Sequence, residues 1–265
     1  MTTIAFLGAG VMGETILAAI LRAGQAPVDV RVAEKSAERA ESLRATHGVV
    51  VTDARSAVEG ADIVVVAVKP QDVPAVLADV ADAVSPSSTV VSIAAGVRTA
   101  TFEAALPTGT AVVRAMPNTP ALVGEGMFGI SAGSTCTQAQ IEAVAALLGT
   151  GGEVVVVDES LQDAVTAVSG SGPAYVFYLV EQMVAGGVEA GLDEATARVL
   201  ATRTLVGAAT LLDRSGDEPA ELRRRVTSPG GTTAAAIAAF DEAGVAGGLR
   251  AGVVAAARRS AELSG

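Results

Sequence analysis

A glycine-rich segment near the start of the chain has the composition and spacing of a phosphate-binding turn. Residues 8–13 read Gly-Ala-Gly-Val-Met-Gly and directly follow the apolar run 4–7. In such a turn Gly8 permits the tight bend, Gly10 lets the backbone approach a pyrophosphate, and Gly13 lets the next helix pack on the strand. The N–H groups at the start of that helix attract phosphates. We therefore expect a dinucleotide to be bound by Gly8, Ala9, Gly10, Val11, Met12 and Gly13.

The surrounding sequence favours a dinucleotide site over a merely structural glycine turn. An apolar strand precedes the glycines, a helical run over 14–23 follows them, and Glu34 lies about 20 positions further on. An acidic side chain at that place can accept both ribose hydroxyls, which favours NAD(H). Lys35, Ser36 and Arg39 follow, and they are able to bind a 2′-phosphate if Glu34 turns outward. We expect Glu34 and Lys35 to contact the cofactor, and NADP(H) and NAD(H) both to be accepted, with NADP(H) preferred. A flavin dinucleotide satisfies the same glycine pattern.

Three later strands end in residues suited to the same ligand, because the carboxyl ends of parallel strands line the crevice of an open sheet. Lys69 either faces a phosphate or ribose or is an ordinary exposed lysine. Residues 95–96 are small enough to leave room for a nicotinamide ring. In the segment 114–120, prolines flank residues 118–119 on both sides, and Asn118 is either a partner of the ligand or the residue that holds a turn. The further cofactor residues predicted here are Ala67, Val68, Lys69, Pro70, Ala95, Gly96 and Asn118.

Two motifs mark the second half of the chain. Residues 169–175 read Ser-Gly-Ser-Gly-Pro-Ala-Tyr, and their glycines allow close approach of either another helix or a ligand. Residues 226–233 read Val-Thr-Ser-Pro-Gly-Gly-Thr-Thr and run into an alanine-rich helix. A glycine turn at a helix N-terminus, with hydroxyls beside it, suits a small carboxylate. A helix cap alone needs one Ser or Thr.

Composition excludes several other functions. The net charge of −11 argues against nucleic-acid binding, and the basic run 223–225 is interpreted as a solvated helix face. The single cysteine, Cys136, excludes an intrachain disulfide and fits the cytoplasm. One cysteine and one histidine cannot build a usual zinc site, so no metal is expected. The histidine, His47, is expected on the surface. No apolar stretch reaches the length of a membrane span, and we expect no membrane partner.

The order of predicted elements indicates two domains. Strands are predicted at 3–7, 28–33, 49–51, 62–68, 89–93, 111–115, 127–131 and 153–157, with helices between the early ones. This alternation is typical of an α/β domain with a Rossmann-like, mostly parallel sheet. After residue 158 the pattern becomes entirely helical, with breaks at 191–193, 215–216 and 228–231. We predict a dinucleotide-binding domain over 1–159 and an all-helical dimerisation and substrate domain over 160–265. Its extensive apolar faces favour an intertwined dimer over a monomeric bundle.

The ordered motifs also carry a resemblance to a known family. Gly-Ala-Gly-Val-Met-Gly, Val-Lys-Pro, Arg-Ala-Met-Pro-Asn-Thr-Pro, Ser-Gly-Ser-Gly-Pro-Ala-Tyr and Thr-Ser-Pro-Gly-Gly-Thr-Thr together resemble pyrroline-5-carboxylate reductase across the whole chain. The resemblance implies hydride transfer from NADPH or NADH to a cyclic imine, 1-pyrroline-5-carboxylate, giving proline. It also implies a homodimer or a larger homo-oligomer built on dimers. By matching motif positions, the implied substrate residues are Ser228, Gly231, Thr232 and Thr233, with the Thr233 hydroxyl near the ring nitrogen as the catalytic group.

The scarcity of bases agrees with imine chemistry. A dehydrogenase acting on an alcohol needs a His, Lys or Tyr as base, and this chain has no lysine beyond Lys69. A 3-hydroxyacid dehydrogenase shares the Gly-Ser-Gly segment but places a catalytic lysine after it, where this chain has Val176. A third alternative is a regulator that binds NAD(P)H without turnover. A cyclic imine is readily protonated from water, so positioning beside the nicotinamide does most of the work.

Overall fold

The computed structural model describes residues 2–264, and an eight-stranded sheet organises the first part of this range. The strands are β1 (Ile4–Leu7), β2 (Val30–Ala33), β3 (Val50–Val51), β4 (Ile63–Val66), β5 (Thr89–Ser92), β6 (Ala111–Met116), β7 (Gly126–Ala132) and β8 (Gly152–Val156). Their spatial order is β3-β2-β1-β4-β5-β6-β7-β8. All neighbouring pairs run parallel except β6 and β7, which are antiparallel. The predicted Rossmann-like, mostly parallel sheet is confirmed.

The sheet is buried on both faces, because helices cover each side. Every residue of β1 and β4 is buried. Successive side chains of a strand point to opposite faces, so Phe6 joins the apolar cluster on one face and Leu7 the cluster on the other. Both side chains are almost completely inaccessible, and each such burial stabilises the fold by about 1.5–3 kcal/mol. Burial on both faces thus fixes the positions of β1 and β4, and with them the residues that follow the carboxyl ends of these strands.

Seven α-helices accompany the strands within the described residues. They are α1 (Val11–Arg22), α2 (Ala37–His47), α3 (Ala54–Val58), α4 (Val73–Val80), α5 (Thr99–Ala105), α6 (Gln138–Leu148) and α7 (Gln162–Val165). Local sequence explains where α2 begins and ends. The Ser36 hydroxyl accepts a hydrogen bond from the Arg39 N–H at 3.3 Å, and Gly48 ends the helix with a φ of 69°. A π-helical turn over Thr166–Gly170 follows α7 directly.

The last third of the chain forms five helices within the described residues. They are α8 (Gly172–Glu189), α9 (Glu194–Ser215), α10 (Pro219–Arg225), α11 (Thr232–Glu242) and α12 (Val245–Leu263). The three predicted breaks separate α8 from α9, α9 from α10 and α10 from α11. None of the described helices is both long and apolar enough to cross a membrane.

The chain divides into two compact units. The first contains residues 2–171 together with 256–264, and the second contains Gly172–Ala255. The returning segment is tied to the first unit by Ser260 and Ser264, whose hydroxyls donate to the Asp163 carboxylate at 2.6 and 3.3 Å. These compact units divide after residue 171, twelve residues beyond the predicted boundary. The boundary after residue 159 is defined by function and assembly, so it stays a prediction.

The helical unit, taken by itself, has almost no core. Among its described residues only Ala197 and Ala201 are buried apolar side chains. Large apolar side chains are instead exposed along its helices, including Phe177, Tyr178, Leu200, Leu211, Phe240 and Leu249. Exposed apolar surface of this extent marks an interface with another protein surface.

Candidate active site

The three glycines of the first turn lie in different surroundings, so each position lacks a side chain for a different reason. Gly8 adopts a φ of 85°, and a Cβ there would lie 2.9 Å from Val68 Cγ1. A Cβ on Gly13 would lie 2.9 Å from the Cβ of Ala67, so the absence of a side chain lets α1 pack against the end of β4. A Cβ on Gly10 would meet nothing within 4 Å. Gly8 and Gly13 are therefore required by packing, whereas Gly10 leaves an open face beside the turn.

The start of α1 presents unused backbone donors on that open face. Gly10 precedes the helix, and no side chain caps it. The first N–H bonded back into the turn belongs to Glu14, which donates to the Gly10 carbonyl at 2.9 Å. The N–H groups of residues 11–13 precede it and are the orphan donors of the helix N-terminus. Together with the helix dipole they suit a phosphate.

The residues after β2 are tied to the glycine turn through Ala9. The Glu34 carboxylate accepts hydrogen bonds from the N–H of Ala9 at 3.1 Å and of Ser36 at 3.0 Å. The Arg39 guanidinium donates to the Ala9 carbonyl and, at 2.9 Å, to the Glu14 carboxylate. Ala9 is fully buried, so these side chains satisfy both of its polar backbone groups. Lys35 is exposed.

His47 lies at the predicted turn between a helix and a strand, but it is only partly exposed. Its side chain is only 14% exposed, because its Nε2 contacts the Glu14 carboxylate at 3.0 Å across 33 positions of sequence. Partial burial raises the pKa of Glu14, but the hydrogen bonds and charges of His47 and Arg39 outweigh that effect and hold the pKa below its ordinary value. The cluster Glu14–Arg39–His47 was not predicted, since its members come from two helices that only the fold brings together.

The ends of β4 and β5 lie at the same sheet edge as the glycine turn, since both strands are parallel to β1. Lys69 is exposed and precedes a short 3-10 turn that begins at Pro70. Ala95 is also exposed, whereas Gly96 has a φ of 76°. A Cβ on Gly96 would lie 3.1 Å from the Leu263 carbonyl oxygen. Part of the room left by this glycine is thus taken by the end of α12, which sequence reasoning missed.

The segment after β6 is held by its own polar side chains. Arg114 is buried and pairs with Glu159 at 3.4 Å. The Asn118 amide accepts from the Met127 N–H at 2.9 Å and donates to the Ser169 carbonyl at 3.2 Å. This is the arrangement of the turn-holding alternative, and the contact of Asn118 with a ligand stays a prediction.

The Asn118 contact connects this segment to the glycine motif at 169–175. The Ser169 carbonyl belongs to the π-helical turn, and Gly172 begins α8. A Cβ on Gly170 would meet the Met116 sulfur at an ordinary 3.6 Å, and one on Gly172 would meet nothing within 4 Å. Packing within the chain therefore does not explain these two glycines.

The loop before α11 exposes hydroxyls and N–H groups together. Gly231 precedes the helix without any side-chain cap, so Thr232 and Thr233 are its first two residues and not its caps. The first N–H bonded back into α11 is that of Ala235, which donates to the Gly231 carbonyl at 3.1 Å. Among the described residues, no side-chain hydrogen bond involves Ser228, Thr232 or Thr233. The Gly230 turn has a φ of 68°. This geometry suits a small anion with a polar neighbour.

Comparison with known proteins identifies the family. A model described as pyrroline-5-carboxylate reductase dimerisation matches residues 159–263, and one described as NADP oxidoreductase, coenzyme F420-dependent, matches residues 3–96. Pyrroline-5-carboxylate reductase from Corynebacterium melassecola is 44% identical over 267 residues, covering 99% of each chain. The chain belongs to the pyrroline-5-carboxylate reductase family. The reductase from Mycobacterium tuberculosis strain H37Rv is 45% identical over 286 residues, covering 99% of this chain and 97% of its own.

Solved structures agree with membership in the pyrroline-5-carboxylate reductase family. The Coxiella burnetii reductase superposes with a TM-score of 0.94 at 33% identity, covering 100% of this chain and 99% of its own. The Plasmodium falciparum enzyme, solved with NADP bound, superposes with a TM-score of 0.88 at 26% identity, covering 100% and 98%. A 3-hydroxyisobutyrate dehydrogenase from Mycobacterium tuberculosis has a TM-score of 0.55 at 21% identity and shares the fold alone.

The family assignment explains the exposed apolar helices. A reductase of this family with a matching dimerisation region over 159–263 forms a homo-oligomer. The helices α8, α9, α11 and α12, which expose large apolar side chains in the single chain, lie within that region. Among the described residues no group of three His, Cys, Asp or Glu side chains is placed to hold a metal ion.

Proposed function

We propose that this protein reduces 1-pyrroline-5-carboxylate to L-proline, the last step of proline biosynthesis, with hydride from NADPH or NADH. The observation that carries the proposal is the similarity of 44–45% over essentially the whole chain to reductases of this name. The hydroxyls and free N–H groups at the start of α11 supply a substrate-binding surface. A regulator that only binds the cofactor does not need such a surface.

The glycine turn fits a dinucleotide. The open face at Gly10 and the orphan N–H groups of α1 suit the pyrophosphate. Glu34 and Lys35 lie after β2, at the place where this kind of domain distinguishes the 2′-hydroxyl of NADH from the 2′-phosphate of NADPH. The nicotinamide, when bound, supplies the hydride. We assign the cofactor contacts to the turn residues Gly8, Ala9, Gly10, Val11, Met12 and Gly13, to Glu34 and Lys35, and to the strand-end residues Ala67, Val68, Lys69, Pro70, Ala95, Gly96 and Asn118.

The loop before α11 is proposed to hold the substrate. Its first-turn N–H groups and the Ser228 hydroxyl suit the carboxylate of the imine, with Gly231 keeping the backbone accessible. The Thr232 hydroxyl lies beside them, and the Thr233 hydroxyl is assigned to the ring nitrogen. These residues would orient the ring so that one face is presented for reduction.

Proton supply to the nitrogen does not require a strong protein base. Residues beyond Lys69 include no lysine, and the one histidine, His47, lies in the Glu14 cluster of the first unit. A protonated cyclic imine needs only a hydrogen-bond partner that holds its N–H in place, and the Thr233 hydroxyl can accept that hydrogen bond. The chain therefore contributes mainly by orienting the imine ring beside the nicotinamide.

Assembly and location complete the proposal. We propose a homodimer, or a larger homo-oligomer built on dimers, with residues 160–265 as the dimerisation and substrate domain. A cytoplasmic location is proposed because the only cysteine, Cys136, is unpaired. The proposed partners are the substrate, proline and further copies of this chain, without nucleic acid or membrane.

The test is oxidation of NADPH and of NADH by the purified oligomer with 1-pyrroline-5-carboxylate, followed by identification of proline as the product. We expect turnover with at least one cofactor, and no loss on addition of a chelator. Cofactor binding without turnover, in folded protein, would refute the reductase and favour a regulator. Turnover with a 3-hydroxyacid instead of the imine would favour the alternative dehydrogenase.

A further inference from the structure

Arg39 occupies a decisive place between the glycine turn and the ribose-binding residues. It is the third residue of α2, three positions after Ser36, where a cationic side chain can receive the 2′-phosphate that distinguishes NADPH from NADH. Its guanidinium is nevertheless committed elsewhere, since it donates to the Ala9 carbonyl and to the Glu14 carboxylate. Both contacts use Nη2, so this end of the guanidinium is directed at the glycine turn and at a carboxylate.

Glu14 is itself fixed from the other side. Its second oxygen contacts His47 Nε2 at 3.0 Å, and its side chain is only 27% exposed. The carboxylate stays ionised at neutral pH, because its pKa is held below the ordinary glutamate value by His47 and Arg39. Glu14 therefore contacts Arg39, at 2.9 Å, through one oxygen and His47 through the other, and these two contacts fix the carboxylate.

We propose that Glu14 is a positioning residue for cofactor choice: by pairing with Arg39 it keeps the guanidinium on the glycine turn and away from a 2′-phosphate. His47 supports this arrangement by fixing the Glu14 carboxylate. With Arg39 so engaged, Lys35, which is exposed, is the other cation of the segment 34–39. The inference rests on the proposed function only in that the turn binds a nicotinamide dinucleotide.

The experiment measures fragment binding, which separates cofactor choice from catalysis. The affinities of 2′,5′-ADP and 5′-AMP are determined by calorimetry on the intact oligomer, and their ratio reports the contribution of the 2′-phosphate. In Glu14→Gln we expect this ratio to rise about tenfold, the effect of one charge-assisted contact near water. Arg39→Gln alone should weaken both fragments and leave their ratio unchanged, because the Ala9 carbonyl loses its donor. In the double variant the rise should vanish.

Two comparisons keep the result interpretable. Glu41→Gln also removes one carboxylate charge, in this case from α2, but Glu41 pairs with Arg44 and not with Arg39. The ratio of the two fragment affinities should therefore match that of wild type. His47→Ala should raise the ratio by a smaller factor, and His47→Gln, which retains a donor for Glu14, should return it toward wild type. These two variants test the proposal even if Glu14→Gln fails to fold.

The proposal would be overturned by a ratio in Glu14→Gln and His47→Ala no higher than in the Glu41→Gln control. It would also be overturned if the double variant kept the rise, or if Arg39→Gln alone lowered the ratio as much as Glu14→Gln is expected to raise it. Wild-type turnover of 1-pyrroline-5-carboxylate is measured in parallel. Its absence would refute the proposed function, whereas the fragment ratios judge Glu14 independently.

Discussion

Replacing Thr233 by alanine separates a substrate contact from a structural role. Thr233 is the second residue of α11, and Gly231 precedes the helix without a side-chain cap. Its hydroxyl therefore does not cap the start of the helix. Removing one hydrogen bond to a charged group costs about 1.5–3 kcal/mol. At about 1.4 kcal/mol per decade, kcat/KM for the imine should fall roughly 10- to 150-fold.

The stability of the same variant should move in the opposite direction. Alanine has the higher helix propensity, by up to about 0.7 kcal/mol, and no cap is lost. The melting temperature should stay the same or rise slightly, while NADPH affinity should be unchanged. Thr233→Ser should recover most of the activity because it restores the hydroxyl, and Thr233→Val should not, although it preserves the shape.

Thr210→Ala is the matched control. Thr210 lies inside α9, and its hydroxyl donates to the Val206 carbonyl at 2.8 Å, so the substitution brings a similar change in helix propensity without touching the proposed substrate loop. Steady-state kinetics and thermal melting of the two variants are compared. A lower melting temperature with unchanged kcat/KM in Thr233→Ala would refute the substrate contact.

Three further predictions concern the first unit. Lys35→Ala should weaken NADPH about tenfold more than NADH in calorimetric titration, since Lys35 is exposed beside Glu34; equal losses would show that it does not contact the 2′-phosphate. Gly8→Ala should lower the free energy of unfolding by about 2 kcal/mol or more because of its positive φ and the crowded Cβ position, whereas Gly10→Ala should leave stability unchanged and weaken cofactor binding; urea unfolding distinguishes them, and equal destabilisation would contradict the open face at Gly10. The folded-state pKa of Glu14 is lowered, so its stabilising effect is present above the ordinary value of 4.5 and disappears as the pH falls through the folded value. Wild type should consequently lose more stability than Glu14→Gln on acidification, and parallel losses would contradict the ion pairs.

The fold could be predicted from the sequence because its strands coincide with short runs of apolar residues. The strand predicted at 62–68 corresponds to the buried central strand β4 (Ile63–Val66), and each of the eight predicted strands overlaps an observed one. Gly191, Gly216 and the 228–231 turn separate the later helices, as expected of residues that relax backbone constraints. Local patterns were sufficient here, since each depends on a few neighbouring residues.

The side-chain partners could not be predicted, because they depend on contacts between distant segments. Glu14 and His47 are 33 positions apart, and nothing in either local sequence indicates that they meet. Asn118 was singled out as a polar residue in a rigid loop, but its bond to the Ser169 carbonyl spans 51 positions. The orientation of Glu34 toward Ala9 similarly appears only when β1 and β2 are paired.

The return of the last residues to the first unit affects how this protein can be dissected. A fragment ending at residue 171 would lack the hydroxyls of Ser260 and Ser264 that bond to Asp163, and the Leu263 backbone that covers Gly96. Residues 256–264 belong to the unit that contains the sheet, although the whole second unit, residues 172–255, separates them from it in sequence. An expressible nucleotide-binding fragment should therefore carry them back through a designed linker, and an affinity tag fused after them would crowd the turn at the end of β5.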